Sequence, residues 1–198
     1  MTRDPSVFVH QLALCETDDV GPRTRVWAFA HVLPGAKIGA DCNVCDHAFV
    51  EGGAVVGDSV TIKNNVLLWD GVTVEDEVFL GPNAVFTNDI RPRAAVKKGR
   101  EAWLPTLVRQ GATIGANATV VCGITVGRWA FVGAGAVVIA DVPDHALVVG
   151  NPARRVGWAC RCGERLLDDL SCRACGRAWW LSDAGTLEER RSATGHDG

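Results

Sequence analysis

Residues 48–72 read AFVEGGAVVGDSVTIKNNVLLWDGV, and every sixth residue from Val50 carries a large aliphatic side chain: Val50, Val56, Ile62 and Leu68. Followed outward, the count holds without exception from Val20 to Phe86, and it resumes from Val108 to Val138. Four residues after each beat the side chain is usually small or β-branched, as at Ala54, Val60, Val66 and Val72. Three residues after it stand Gly53, Asn65 and Gly71, and elsewhere Gly35, Asp41, Asn83, Gly111, Asn117, Gly123 and Gly135. These residue types accept the positive φ of a tight corner. A period of six fits neither a 3.6-residue helix nor a two-residue alternation carried through ordinary hairpins. It fits a short strand and a corner, repeated, with each strand pairing to the coils above and below. The expected fold is an all-β parallel β-helix, and three hexads per turn give about six coils.

The beat fails once. From Phe86 to Val108 is 22 residues, 16 more than one hexad, so the helix should continue in register while residues 91–107 form an external loop. Pro92 and Pro105 bracket the excursion, which carries Arg91, Arg93, Lys97, Lys98 and Arg100 against Glu101. Five cations emerging at one corner suit the diphosphate of a nucleotide, with Arg91 and Arg93 as the first candidates. A solvated surface loop is the plain alternative.

Composition narrows the partners. A net charge of -3 and a pI near 5.9 give no basic excess for nucleic acid or an anionic membrane. The N-terminal stretch MTRDPSVFVHQLALCETDD has no uninterrupted apolar core of a signal peptide, and no segment is apolar enough to span a bilayer. The expected location is the cytoplasm. Four of the eight cysteines, Cys160, Cys162, Cys172 and Cys175, crowd into sixteen residues as C-x-C-G and C-x2-C-G. That pattern suggests a zinc-ribbon-like module over residues 158–181, following a solenoid over 1–157. Its zinc would be structural, since four thiolates leave no open coordination position, and would supply folding energy that some thirty residues cannot gather from a core. Residues 182–198 are polar and are expected to be a disordered tail.

Four segments taken in order point to one family: RVWAFAHVLPGAKIGADCNV (25–44), VEDEVFLGPNAVFTND (74–89) followed by RPR, GATIGANATVVCGITVG (111–127), and VGNPARRVGW (149–158). Together they resemble the hexapeptide-repeat sugar-nucleotide 3-N-acetyltransferases, which act on UDP-2-acetamido-3-amino-glucuronate or dTDP-3-amino-3,6-dideoxyhexoses. The resemblance implies left-handed coils, a homotrimer with active sites between subunits, and acetyl-CoA as the acyl donor. It also implies an amine that attacks the thioester directly and Asn88 beside that amine, with Asp89 a candidate as its pKa-setting or orienting neighbour.

A free amine is a good nucleophile and needs less help from a strong base than a sugar hydroxyl does. This agrees with the scarcity of histidines in the repeat, where only His31 and His47 occur. His31 closes the matched segment WAFAH and is a candidate for the sugar-nucleotide pocket. Glu51, Lys63, Asn64, Trp69 and Asp70, in the coils just before Asn88, could form a wall gripping sugar hydroxyls and a carboxylate or the base ring of UDP or dTDP. Gly133, Ala134 and Gly135 are small enough to admit a pantetheine arm. By resemblance, Asn151 and Pro152 shape the exit from the last coil, and Arg154 and Arg155 face the nucleotide phosphates of coenzyme A. Two rival classes remain: a γ-carbonic-anhydrase-like metalloenzyme, which needs three converging histidines that His31 and His47 are not spaced to supply, and a non-catalytic solenoid scaffold.

Overall fold

The computed structural model describes residues 3–190. Short strands, most of two residues, alternate with corners and stack into three sheets, parallel up to the last strand of one of them, the faces of a triangular prism. Face I holds nine strands from Phe8–Val9 to Arg154–Trp158, face II seven from Leu14–Cys15 to Val137–Val138, and face III five from Lys37–Ile38 to Thr125–Val126. Pairing proceeds in steps of eighteen residues, as in Val44 with Ile62 and Val50 with Leu68. Both residues of the hexad that were read as inward are buried along the whole stack, from Val20 and Thr24 to Val138 and Val142. Each fully buried valine, leucine or isoleucine contributes about 1.5–3 kcal/mol of apolar transfer, realised only because the coils above and below cover it. Thr24, the polar member of the series, donates its hydroxyl to Gly39 O and accepts from Cys42 N–H.

The corners explain the third position of the hexad. Positive φ occurs at Gly35, Asp41, Gly53, Asn65, Gly71, Asn83, Gly111, Asn117, Gly123 and Gly135, and also at Arg23, Phe29, His47, Ser59, Glu77 and Trp129. On the edge between faces II and III the left-handed corners are all glycines, Gly35, Gly53, Gly71 and Gly123. The left-handed corner positions of that edge therefore carry no side chain, whereas on the other two edges most of them do.

The stack has about eight turns, more than the six expected. The end coils were hidden because they break the eighteen-residue step: Val9 pairs with Val26 and Phe131 with Leu147, intervals of 17 and 16. The excursion does leave the register untouched, because Val74 pairs with Val108, 34 residues on. Its boundaries differ from the expected 91–107. Leu107 lies in the strand Thr106–Val108, and the loop is closed earlier, by the Leu104 N–H donating to Asn88 O at 2.9 Å.

At the C-terminal end, the strand Arg154–Trp158 pairs antiparallel with Ala146–Val149 and covers the last edge of face I. The cysteine module follows, and it extends past residue 181. Trp179–Leu181 and Leu187–Glu189 form a hairpin that buries Leu187, so residues 182–190 are ordered where a disordered tail was expected. The rest of that tail, 191–198, lies outside the described residues. No helix of the described residues is long and apolar enough to cross a membrane.

Candidate active site

Because the coil repeats every eighteen residues, side chains that far apart share a column. Gly52, Asp70 and Asn88 stack in one column on the edge between faces II and III, and Glu51 and Trp69 stack in the next. The Glu51 carboxylate accepts from Asp70 N–H at 2.8 Å, and Trp69 donates its indole N–H to Phe86 O at 2.8 Å. Asn88 is half-buried, and its backbone carbonyl is used in closing the loop. Its carboxamide forms no hydrogen bond within the described residues, which leaves a donor and an acceptor at the corner where the loop departs.

The loop lies back over the same edge. Arg100 pairs with Asp70, and Trp103 joins Glu51, Gly52 and Asp70 around a cleft of about 400 Å³. A second cleft, of about 500 Å³ and mostly apolar, opens on face III on the other side of the loop's root, against Leu104, Thr106 and Gly123. Asp89 is placed differently from expectation. It accepts from Arg91 N–H at 2.8 Å and from Lys98 Nζ at 2.6 Å, and the Lys98 hydrogen bond holds its carboxyl below the usual carboxylate range. It fastens the loop instead of orienting Asn88. Of the five loop cations, Lys98 and Arg100 are thus spent internally, while Arg91 and Arg93 are exposed.

Lys63 and Asn64 are not on this edge. A step of six residues moves the chain one edge around the prism, so they share columns with Gly133 and Ala134 on the edge between faces I and II. The expected wall of five residues is therefore split within one chain, with face II between its halves. His31 lies on face II, its Nε2 2.9 Å from Glu16 and its ring edge-on to Phe49 at 5.6 Å. Phe49 in turn meets Trp69 at 5.6 Å, an aromatic run that links His31 to the Asn88 edge. His47 stacks on Phe29 at 5.0 Å, away from His31.

At the last coil, Gly133 lies against Val149, and the Asn151-Pro152 turn follows. Gly150 O accepts from Val137 N–H, Ala153 N–H donates to Val137 O, and the Asn151-Pro152 turn thereby seats on the last coil beside Gly133. The two glycines there serve different ends. A Cβ on Gly133 would fall 2.7 Å from Val149 Cγ1, so close stacking demands it, whereas Gly135 has φ +69° and open space around it.

The hexapeptide repeat of succinyl-transferase, as a family pattern, matches residues 108–140. The dTDP-3-amino-3,6-dideoxy-α-D-galactopyranose 3-N-acetyltransferase of Aneurinibacillus thermoaerophilus is 49% identical over 178 residues, covering 89% of this chain and 92% of that protein. The chain belongs to the hexapeptide-repeat sugar-nucleotide 3-N-acetyltransferases. Two solved structures are also similar to it. A hexapeptide-repeat acetyltransferase from Vibrio cholerae complexed with acetyl coenzyme A is 25% identical, with a TM-score of 0.48 over 77% of this chain and 70% of that one. A mutant GDP-perosamine N-acetyltransferase from Caulobacter crescentus in complex with CoA and GDP-perosamine is 23% identical, with a TM-score of 0.46 over 78% and 55%.

The acetyltransferase solenoid ends in a second constellation. The Sγ atoms of Cys160, Cys162, Cys172 and Cys175 all lie within 4.8 Å of one another, with the Cys160–Cys175 and Cys162–Cys172 pairs at 3.5 Å. A tetrahedron with metal–sulfur bonds of about 2.3 Å has sulfurs about 3.8 Å apart, so the cluster has the size of a thiolate metal site. The Arg177 backbone N–H hydrogen bond brings the Cys175 thiol down to about 6, while burial pushes the Cys160 thiol up. Among the described residues of one chain this is the one grouping of ligating side chains close enough to hold a metal ion. Phe49 and Trp103 carried no signal that was read, and Arg100 was expected at a diphosphate, not on Asp70. Phe49 could have been found by counting eighteen from His31, but Trp103 and the Arg100 pairing belong to the aperiodic loop, where no count reaches.

Proposed function

We propose that this N-acetyltransferase transfers the acetyl group of acetyl-CoA to the 3-amino group of a dTDP-linked 3-amino-3,6-dideoxyhexose. The observation that carries the reading is the 49% identity to the Aneurinibacillus enzyme across nearly the whole of both chains. In this reading the amine enters at the corner of Asn88, whose carboxamide oxygen accepts an amine hydrogen and directs the nitrogen lone pair at the thioester carbon. The carbon–sulfur bond breaks as the amide forms, and the departing thiolate takes up the proton the amine loses. Holding the two reactants in line supplies most of the acceleration, since a neutral amine needs no strong base. Glu51, Trp69 and Asp70 shape the sugar end of the pocket, Arg91 and Arg93 face the diphosphate, and Asp89 acts through Lys98 on the loop.

The donor runs along the I/II edge, past Gly133, Ala134 and Gly135 to Asn151, Pro152, Arg154 and Arg155. A homotrimer built on face II reconciles the two edges. The outward column of that face is Leu14, His31, Phe49, Leu67, Val85, Thr119 and Val137, with Leu14, Leu67 and Val85 exposed in the single chain. Turning it to a threefold axis buries that apolar column and sets the Asn88 edge of one chain beside the Lys63, Asn64 and Gly133 edge of the next. A zinc ion in the four-cysteine cluster completes the chain as a structural centre.

The test follows thiol release from acetyl-CoA with a panel of dTDP- and UDP-linked 3-amino sugars, together with mass measurement in solution. A trimer that turns over the dTDP sugars supports the reading. Turnover of UDP-linked 3-amino-glucuronate alone would replace the acceptor, and a monomer with full activity would remove the shared site.

A further inference from the structure

The strand Arg154–Trp158 is gripped from both sides. Inward, it pairs with Ala146–Val149 at the end of face I. Outward, the segment between the two cysteine pairs holds it: Leu166 N–H donates to Trp158 O at 2.9 Å, and the Arg165 guanidinium donates to Val156 O at 3.0 Å. Trp158 packs against both the solenoid core and the module core. Its ring carries the Arg155 guanidinium 4.3 Å above its centre. Just beyond, Ala159 N–H donates to His145 O, His145 Nδ1 donates to Ala159 O, and the His145 ring lies 4.5 Å from that of Trp179.

The module doing the gripping has almost no core of its own. Its buried cluster is Cys160, Leu166, Cys172, Trp179 and Leu187, two of the five being cysteines of the metal-sized site. Ordering some thirty residues costs far more conformational entropy than three apolar side chains return, so the module's fold needs the bonds that a metal would make. We propose that zinc bound by Cys160, Cys162, Cys172 and Cys175 is the fastening that keeps Arg154–Trp158 on the solenoid and Arg155 seated on Trp158, so that metal occupancy sets affinity for the acyl donor. The second half of this inference rests on the reading that Arg154 and Arg155 meet the phosphates of coenzyme A. In this role Trp158 is a positioning residue: it touches no reactant and acts through Arg155.

Zinc content, amide hydrogen exchange at residues 154–158, and separate KM values for acetyl-CoA and nucleotide sugar are measured on the full chain. They are taken before chelation, after chelation, after zinc is returned, and in Cys172→Ser. The expected result is one zinc per chain and, without it, faster exchange over 154–158. The acetyl-CoA KM should rise about tenfold, the scale of a lost charge-assisted contact. The nucleotide-sugar KM should stay within about twofold, and zinc should restore all three. Arg155→Ala should reproduce the KM change with zinc and exchange unmoved. A zinc-free native protein, or exchange at 154–158 that ignores zinc, overturns the fastening. Zinc-dependent exchange combined with an unchanged acetyl-CoA KM in Arg155→Ala overturns the assignment of Arg155 and leaves the fastening standing.

Discussion

In the solenoid, a side chain such as Leu68 is buried by the coils on either side of it, and the same arrangement recurs every eighteen residues. In the C-terminal module, the buried cluster is five side chains, two of them cysteines. One region is stable because its repeat has many copies, and any one coil contributes a small share. The other has no repeat to draw on, and in the proposed reading it depends on a single bound zinc. The same reading divides the work of the chain: the solenoid edges place the reacting groups, and the module secures the end of the stack.

The largest expected effect comes from breaking the module alone. A structural zinc site in a small module is worth about 10–16 kcal/mol in apparent binding energy, so a strong chelator should unfold residues 159–190 while the solenoid remains. Hydrogen exchange resolved by segment checks this, and uniform exchange across the chain after chelation would erase the distinction. The matching cut in the solenoid is Leu68→Ala, which removes a fully buried side chain and should cost about 2–5 kcal/mol of stability, with zinc content unchanged. Denaturant midpoints at constant slope measure it. Asn88→Ala should lower kcat about 100-fold, equivalent to about 2.7 kcal/mol, and leave both the melting temperature and the oligomer intact. Unchanged turnover would remove Asn88 from the site.

Acid should sharpen the comparison at the joint between the regions. Burial, with help from the Arg161 charge, pulls the His145 pKa below its ordinary 6.5 against the Ala159 hydrogen bond and the nearby Asp144 and Glu189. The docked form is neutral and the undocked form takes up a proton near 6.5. Docking is therefore complete above that pH and weakens as pH falls through it toward the depressed value. Tryptophan fluorescence from Trp179 should report the change, and His145→Gln should flatten it. The smallest effect belongs to the loop. The Asp89 carboxyl is depressed by Lys98, so its clasp persists above the ordinary carboxylate range and is lost only as pH falls below about 4. Proteolytic nicking of residues 90–103 checks it, and Lys98→Ala should produce the same nicking at neutral pH.

The same contrast governs what could be read from the chain. A six-residue count settles which side chains point inward, and all of them do. It does not say which edge a corner residue joins, which is why Lys63 and Asn64 were grouped with Glu51 and Trp69 although one step of six separates their edges. Eighteen-residue columns carry that information. The end coils escaped because one loses a residue and the other two, and periodicity is blind to both. Arg100 on Asp70, Lys98 on Asp89 and Trp103 over Glu51 belong to an aperiodic loop, where pairing is decided by folding in space. The four cysteines were legible because metal geometry constrains spacing locally. Leu187, a lone apolar residue in a polar run, carried no pattern that could announce its hairpin.

The most direct test of the account is a single assay of purified protein with acetyl-CoA and a dTDP-linked 3-amino-3,6-dideoxyhexose, following free thiol and the mass of the sugar nucleotide together. Stoichiometric thiol release is expected, with one acetyl group gained on the amine, abolished when the acceptor carries a hydroxyl in place of the amine. Thiol release without acetylated sugar, or no release with any amino-sugar nucleotide, would contradict it.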